Sequence, residues 1–336
     1  MIEIDGSYLE AGGQILRTAL GLSAITKEPF HIINIRKGRR DKGLKEQHLQ
    51  SVKSMKKLTN AEVRGDSLNS TEITFIPNEI STKKIRINIS TAGSTGLVLQ
   101  ALLIPAVNLN LKMEIRGGAT YGKYAMPIDH LDTVLLTLLK KFGYTCKINI
   151  IREGFFPKGG AMVNIESKSC KLKPIILDSL GRLDEIQLFS VASHELQKRD
   201  VVNRQAKAAK KILFKKFSLP IKEERKYDRT FSSGSGIQIN LITKNSIVGS
   251  NSLGERNKLA EKVGEEAALN LIYEYQNNAV VDRYTADQLL PYMAIAGHGR
   301  IKTSEITNHI KTNAWIIEKF LDVKFKIKEN TIECIS

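Results

Sequence analysis

Cysteine is scarce in this chain of 336 residues. The three cysteines, Cys146, Cys170 and Cys334, are odd in number, and no two of them form a C-x-x-C pair. A disulfide framework needs paired cysteines, and a thiolate zinc site needs closely spaced ones. Both are therefore disfavoured, and the pattern is typical of a protein from the reducing cytoplasm.

Long apolar runs are also missing. The most apolar stretch, Leu97–Val107, contains Gln100 and Pro105 and is far shorter than the ~20 residues that span a bilayer. The first residues, M-I-E-I-D-G, are acidic and lack the basic and apolar regions of a signal peptide. We therefore expect a cytoplasmic protein with no membrane partner.

The common phosphate-binding and catalytic fingerprints are absent as well. No G-x-x-x-x-G-K-[ST] loop occurs, and the G-S-G at Gly234–Gly236 lacks the third glycine of a dinucleotide-binding turn. Nor do His31, His130, His194 and His298 show metal-ligand spacing. These absences argue against a P-loop, a Rossmann site and a histidine metal cluster.

Charge of one sign is plentiful. Lysine and arginine number 51 against 35 acidic residues, which gives a net charge of +16. Such an excess favours a polyanionic partner, with nucleic acid ahead of a membrane surface. Simple solubility is the alternative, because lysine-rich surfaces are common in heat-adapted proteins.

The first part of the chain is predicted to contain two similar units. Each unit runs strand, glycine loop, helix, strand, I-R-x-G, loop, helix, and Gly13, Arg36 and Gly38 recur eighty positions later as Gly93, Arg116 and Gly118. An internal repeat of this kind is informative about the fold. The predicted elements are strands Ile2–Ile4, Phe30–Ile35, Ile85–Ile89 and Leu111–Ile115, helices Gln14–Thr26, Leu44–Leu58, Leu97–Val107 and one ending at Phe142, and a loop at Ser90–Gly96.

A third unit is predicted to begin with the hairpin Lys147–Ile165 and to be interrupted by residues 182–277. The interruption is expected to hold strand Asp184–Ser190, a basic helix Glu195–Phe217, strands Ile237–Ile242 and Ser246–Asn251, and a helix ending near Tyr275. The chain would end in helices at Tyr284–Ala296 and Thr307–Phe320 and a hairpin of Lys324–Lys328 with Thr331–Ile335. The predicted class is α/β (α+β): repeated βαβ-type units form a large domain (1–181 plus 278–336), with a smaller inserted α/β domain (182–277).

Several motifs are similar to those of the RNA 3'-terminal phosphate cyclase family. They are E-A-G-G-Q-I-L-R-T-A-L from Glu10, I-R-K-G-R-R-D-K-G-L-K-E-Q-H-L from Ile35, A-G-S-T-G-L-V-L-Q, G-F-F-P-K-G-G, Y-T-A-D-Q-L-L-P and H-I-K-T-N. The resemblance runs through nearly the whole chain. Around Ala119–Met126 the chain departs from the family's pattern, which has Asp-Asn after the glycines and a double proline later.

The resemblance implies a role for each matching residue. His309 would become covalently linked to AMP, and Glu10 would help to hold Mg²⁺ or Mn²⁺ near the phosphates of ATP. The phosphate and RNA-end site would comprise Gln14, Arg17, Arg36, Arg39, Gln47 and His48. The nucleotide site would comprise Gln100, Pro127, Tyr284, Thr285, Ala286, Asp287 and Gln288.

Each of these residues also has an ordinary structural interpretation. Arg17 could be a surface residue that extends its charge into solvent, and the basic run Arg36–Lys42 a solvated loop. His309 could be a capping histidine, because Thr307-Asn308 are good helix N-cap residues. The basic helix Glu195–Phe217 could contact RNA or be a solvated face.

The family resemblance implies an ATP-dependent enzyme that acts on RNA 3' ends. His309 would take AMP from ATP and pass it to the RNA 3'-phosphate, giving RNA(3')pp(5')A. The neighbouring 2'-OH would then form the 2',3'-cyclic phosphate and release AMP. The alternatives are a non-catalytic RNA-binding or ribosome-assembly protein on the same fold, and a transferase of phosphorylated metabolites.

Overall fold

A computed structural model describes residues 1–336 as sixteen strands in four sheets of four strands each. The first sheet has the order β1-β2-β4-β3, in which β1 and β2 are parallel and the other neighbours are antiparallel. Its unit comprises β1 (Ile2–Asp5), α1 (Gln14–Thr26), β2 (Phe30–Ile33), α2 (Glu46–Thr59), β3 (Glu62–Arg64) and β4 (Ile73–Ile76). The predicted bounds of α1 are confirmed.

The second sheet repeats this topology, with the order β5-β6-β8-β7 and again one parallel pair. Its unit comprises β5 (Lys84–Ser94), α3 (Thr95–Ala106), β6 (Lys112–Ala119), α4 (Ile128–His130), α5 (Leu136–Lys141), β7 (Thr145–Arg152) and β8 (Met162–Lys168); a π-helical turn over Leu131–Leu135 joins α4 to α5. The predicted repeat is confirmed.

Two predictions in this unit are wrong. The hairpin predicted at Lys147–Ile165 completes the second sheet instead of opening a third unit. The loop predicted at Ser90–Gly96 belongs instead to β5 and α3, with a register shift between Ile89 and Ser94. Its serines and threonines favour turns in isolation, but Ser94 is used as the N-cap of α3, where its hydroxyl accepts from the Leu97 N–H at 3.2 Å.

The third unit begins with β9 (Ile175–Leu177), after which the chain builds a fourth sheet before it returns. That sheet has the order β11-β10-β12-β13. Its elements are β10 (Leu183–Ser193), a 3₁₀ turn (His194–Arg199), α6 (Val201–Leu213), β11 (Ile221–Asp228), β12 (Ser235–Thr243), β13 (Ile247–Leu253) and α7 (Ala260–Gln276).

The predicted single helix Glu195–Phe217 is wrong, because the chain breaks at Asp200, which has a left-handed φ of 53°. The sequence interpretation also missed β11, whose strongly charged segment lacks an apolar alternation.

The chain then completes the third unit around β9. Its sheet has the order β15-β16-β14-β9, which is the same arrangement as in the first two units when read from β9. The remaining elements are α8 (Arg283–Ile295), β14 (His298–Lys302), α9 (Asn308–Phe320), β15 (Lys324–Lys328) and β16 (Thr331–Ile335). The predicted closing hairpin is confirmed, and β9 and β14 were missed as strands.

Helices of the three units share one large core. A cluster of 66 buried apolar residues extends through all three, and a separate cluster of 14 lies among β10–β13, α6 and α7. Gly21 of α1 allows a close approach to α3, since a Cβ there would lie 2.8 Å from Ile104. None of the helices is both long and apolar enough to cross a membrane. The division at 181/182 and 277/278 stays a prediction.

Candidate active site

His309 lies at the start of α9, and helix packing brings it to the start of α1. Thr307 caps α9, because its side-chain oxygen accepts a hydrogen bond from the Ile310 N–H at 3.3 Å. α9 packs against α1, whose first residue is Gln14. His309 Nδ1 and Gln14 Oε1 are consequently 2.6 Å apart.

A second hydrogen bond fixes the direction of the first. The amide nitrogen of Gln14 donates to a carboxylate oxygen of Asp287 on α8, so the amide oxygen faces His309. An amide oxygen only accepts, and Nδ1 of His309 must therefore carry the proton. The chain Asp287–Gln14–His309 leaves the proton on Nδ1 and the lone pair on Nε2.

The surroundings of His309 keep its ring neutral near pH 7. Burial lowers the pKa of His309 below its usual range; Glu10 opposes this shift, and Arg17 and Arg39 add to it. A neutral imidazole is the nucleophilic form. The ring is thus held in the tautomer and the charge state that an attack by Nε2 needs.

Glu10 stands between His309 and Arg39. One of its carboxylate oxygens lies 2.7 Å from an Arg39 guanidinium nitrogen and 3.6 Å from Nε2 of His309. No group of three or more His, Cys, Asp or Glu side chains forms a metal cluster in the structure. Mg²⁺ is commonly held by one or two carboxylates together with water and substrate phosphates. A single carboxylate here therefore fits an ion that enters with a nucleotide.

The loop that carries Glu10 has an unusual backbone. Leu9 and Ala11, on either side of Glu10, have φ angles of 43° and 45°, a region that side chains other than glycine rarely adopt. The ring of Tyr8 stacks on Trp315 of α9, with centroids 4.2 Å apart and planes 19° apart. Strain of this kind concentrates at functional sites, and the stack ties the Glu10 loop to the helix of His309.

Arg17 lies near His309 and has an N–H donor without a partner. Burial lowers the pKa of Arg17 to about 10, although Asp287 opposes the shift. The Nε of Arg17 is buried and has no hydrogen-bond partner. A cavity of about 30 Å³ adjoins it and is also lined by Gln100 and Asn313. Arg17 therefore offers both a free N–H donor and a positive charge to an anion.

His48 reaches the same corner from α2. Its Nδ1 accepts from the Lys45 backbone N–H at 3.1 Å, so the neutral ring carries its proton on Nε2. Burial and three nearby cations hold the pKa of His48 well below its usual range. Nε2 abuts Gly13, where a Cβ would overlap it. Glycine is needed at residue 13 to let His48 lie beside Arg17.

Two of the predicted phosphate and RNA-end residues are engaged with the backbone. Arg36 donates from Nη1 to the carbonyl oxygens of Asp41 (2.6 Å) and Gly43 (2.9 Å). These two bonds hold the basic loop that contains Arg36. Gln47 accepts from the Ser94 N–H at 2.9 Å. The structure therefore brings Glu10, Gln14, Arg17, Arg39, His48 and His309 together, with Arg36 and Gln47 at the edge.

The predicted nucleotide residues range from exposed to fully buried. Tyr284 is 52% exposed. Gln100 donates from Nε2 to Gln288 Oε1 at 3.0 Å. Pro127, Thr285 and Ala286 are buried, and the Thr285 hydroxyl donates to Asp282 and contacts His130 Nε2. The nucleotide-contact roles of all seven residues remain a prediction.

The sequence interpretation missed Asn313 and Thr18. The Thr18 hydroxyl donates to Asn313 Oδ1 at 2.7 Å, and Asn313 Nδ2 donates to the Asp287 carbonyl oxygen at 2.7 Å. These bonds tie α1, α8 and α9 together one helical turn from His309. Asn313 follows His309 by four residues, which places both on one helix face, and that spacing was the available signal.

Comparisons with known proteins give the family. A sequence model described as RNA 3'-terminal phosphate cyclase matches residues 8–327. The chain belongs to the RNA 3'-terminal phosphate cyclase family. It is 42% identical to the Thermococcus kodakarensis protein of that name over 97% of this chain and 94% of the relative. The Saccharolobus solfataricus protein of the same name is 43% identical over 97% of this chain and 96% of its own length.

A third relative of that name, from Pyrococcus furiosus, is 41% identical over 98% of this chain and 95% of its own length. Family membership makes the chain a ligase-type enzyme. The resemblance stated from the motifs alone is thereby confirmed. The roles of individual residues stay predictions.

Proposed function

We propose that this enzyme converts the 3'-terminal phosphate of RNA to a 2',3'-cyclic phosphate and uses ATP through a histidine–AMP intermediate. The observation that supports this best is the chain Asp287–Gln14–His309, which leaves a neutral Nε2 facing the Glu10 carboxylate that pairs with Arg39. A protein that only bound RNA would not need such an oriented nucleophile. The family's printed name supports the same overall reaction.

In the first step, Nε2 of His309 attacks the α-phosphorus of ATP. The bond from that phosphorus to the pyrophosphate oxygen breaks, and pyrophosphate leaves. The Nδ1 proton stays in its hydrogen bond to Gln14, so the modified ring is a cation. Asp287 lies at the far side of Gln14, where burial raises its pKa to about 7; a ring cation nearby favours the ionised carboxylate, which offsets that charge.

In the second step, an oxygen of the RNA 3'-phosphate attacks the phosphorus of the bound AMP. The N–P bond breaks, and its electron pair returns to Nε2 of His309. In the third step, the ribose 2'-OH attacks the 3'-phosphorus, AMP leaves, and the hydroxyl proton passes to solvent. This last step is intramolecular, where proximity alone can contribute on the order of 7–11 kcal/mol.

Two anions must meet in this site, and its cations and donors would offset their repulsion. Arg39 and Arg17 supply fixed positive charge, and the Nε2–H of His48 supplies a neutral donor. Preorganised donors of this kind are a main source of transition-state stabilisation. Glu10 would hold a divalent ion, which when bound would withdraw charge from the phosphate oxygens.

The decisive experiment is labelling of the protein with α-labelled ATP and Mg²⁺ or Mn²⁺. We expect acid-labile, alkali-stable label on the wild type and none on His309→Ala. His194→Ala is the matched control, because His194 is exposed and lies in the 3₁₀ turn, and it should label normally. Absence of label on the wild type with both metals would contradict the proposal and favour the RNA-binding alternative.

The RNA half of the reaction is tested with a 3'-phosphorylated oligoribonucleotide. The labelled enzyme should pass AMP to it, and the 3' phosphate should become resistant to phosphatase. Competition with small phosphorylated metabolites separates this function from a metabolite transferase. If such metabolites displaced the RNA and accepted AMP, the RNA assignment would be wrong.

A further inference from the structure

Two loops outside the nucleophile site hold exposed aromatic rings next to cations. The loop Phe155–Gly160 follows β7, and the loop Arg229–Gly234 joins β11 to β12. Phe156 is 77% exposed and Phe231 is 54% exposed. Large apolar side chains this exposed on two adjacent loops call for an explanation, because burial of such side chains ordinarily stabilises a protein.

Close packing holds the two loops against each other. The Lys158 N–H donates to the Ser232 hydroxyl at 3.0 Å. Gly160 adopts a φ of 87°, and a Cβ there would overlap the Phe231 ring. A Cβ at Gly234 would likewise overlap Phe155. The rings are therefore presented by a fixed surface.

The charge beside these rings suits an anion. The Arg152 guanidinium lies 4.2 Å from the centroid of the Phe231 ring and donates from Nε to the Gly160 carbonyl oxygen at 2.8 Å. Lys158 and Arg229 are exposed on the same two loops. Among nearby acids, Glu195 accepts a hydrogen bond from the Ser233 hydroxyl, and Lys226 pairs with Glu153 and Asp228 below the loops.

The loops adjoin the proposed RNA-end site through a row of glycine contacts. A Cβ at Gly159 would lie 2.7 Å from the Gly118 carbonyl oxygen, and one at Gly118 would lie 2.6 Å from that of Gly93. Gly93 in turn lies beside Gln47, and the next residue, His48, reaches the corner of Arg17. The two loops thus pack through close backbone contacts towards α2, which carries Gln47 and His48.

We infer that these two loops form a stacking platform for unpaired nucleotides on the 5' side of the RNA 3' end. The inference rests on the proposed function and adds to it that the substrate ends in a single strand. Single-stranded nucleic acid is bound by aromatic rings on which bases stack and by cations along the backbone. Arginine beside an aromatic ring contributes to the same contact.

The test measures the affinity of wild-type enzyme for a fluorescent, single-stranded, 3'-phosphorylated ten-nucleotide RNA by anisotropy. Phe156→Ala and Phe231→Ala should each raise Kd about fivefold or more. Phe214→Ala is the matched control, since Phe214 is an equally exposed phenylalanine (60%) at the end of α6, and should change Kd less than twofold. Phe156→Ala should leave the fold intact, because the Phe156 ring is so exposed.

A second experiment removes bases from the RNA instead of aromatic rings from the protein. An RNA with the same phosphates but base-free sugars upstream of the 3' nucleotide should bind wild type as weakly as the intact RNA binds the double variant Phe156→Ala/Phe231→Ala. The two changes should not add. Additive losses, or unchanged Kd values for both single variants, would overturn the inference.

Labelling of each variant with ATP alone keeps this result separate from the proposed function. The platform variants should form the His309–AMP adduct at the wild-type rate, because no RNA takes part in that step. If the wild type itself fails to label, the proposed function fails and the inference fails with it. If it labels and both platform variants bind RNA normally, only the inference fails.

Discussion

Exchanging the amide of Gln14 with the carboxylate of Asp287 tests how the ring of His309 is oriented. In the wild type the amide nitrogen faces Asp287 and the amide oxygen faces His309. The double variant Gln14→Glu/Asp287→Asn reverses the two groups. The introduced amide can then donate to the introduced carboxylate, whose other oxygen accepts the Nδ1 proton of His309. Both hydrogen bonds are kept, and so is the net charge.

Each single variant should be slow. Gln14→Glu alone sets two carboxylates against each other, and Asp287→Asn alone no longer enforces the direction of the Gln14 amide. A hydrogen bond to a charged group contributes ~1.5–3 kcal/mol, which corresponds to roughly a 10- to 100-fold loss in the rate of adenylylation. The double variant should recover to within about fivefold of the wild type. The glutamate introduced at residue 14 lies at the start of α1, where the helix dipole favours a negative charge.

The assay is single-turnover labelling with α-labelled ATP at saturating concentration, because it measures the first step without RNA. The double variant should also need a higher pH than the wild type, since a carboxylate next to His309 raises the pKa of the ring. Circular dichroism checks that all variants fold. A double variant no faster than the slower single one would refute the orientation argument.

Three further predictions concern His309, Gly13 and the buried Glu153. Adenylylation by the wild type should fall as the pH is lowered through the depressed pKa of His309, because the protonated ring has no lone pair on Nε2; a rate independent of pH below 6.5 would contradict this. Gly13→Ala should displace His48 and slow RNA cyclisation at least tenfold, whereas Gly122→Ala, where a Cβ would be 3.7 Å from the nearest atom, should act like wild type in the same assay. Burial raises the pKa of Glu153 from 4.5 to about 7, so the folded protein binds that proton more tightly and its stability falls as the pH rises through that window. In denaturant unfolding, the free energy of unfolding should fall between pH 5 and pH 8 by ~3 kcal/mol less in Glu153→Gln than in the wild type. An equal fall in the two proteins would contradict the raised pKa of Glu153.

The local part of the fold could be predicted from the sequence. The bounds of α1 and of the closing hairpin follow from apolar periodicity and turn residues. The eighty-residue recurrence of Gly13, Arg36 and Gly38 predicted the repeated unit. The failures lie where distant contacts override local preference. β11 forms from a charged segment because β10 provides a partner along its full length, and the hairpin of β7 and β8 joins a sheet begun by β5.

The sequence by itself determined the family, the candidate nucleophile and the set of charged residues near it, because motifs and periodicity are local. Only the tertiary structure decided which nitrogen of His309 is free. Gln14, Asp287 and His309 come from three helices and from both ends of the chain, and only the packing of α1 and α8 against α9 joins them. The direction of a hydrogen bond depends on which donor meets which acceptor in space. Neither the residue types nor their spacing along the chain contains that information.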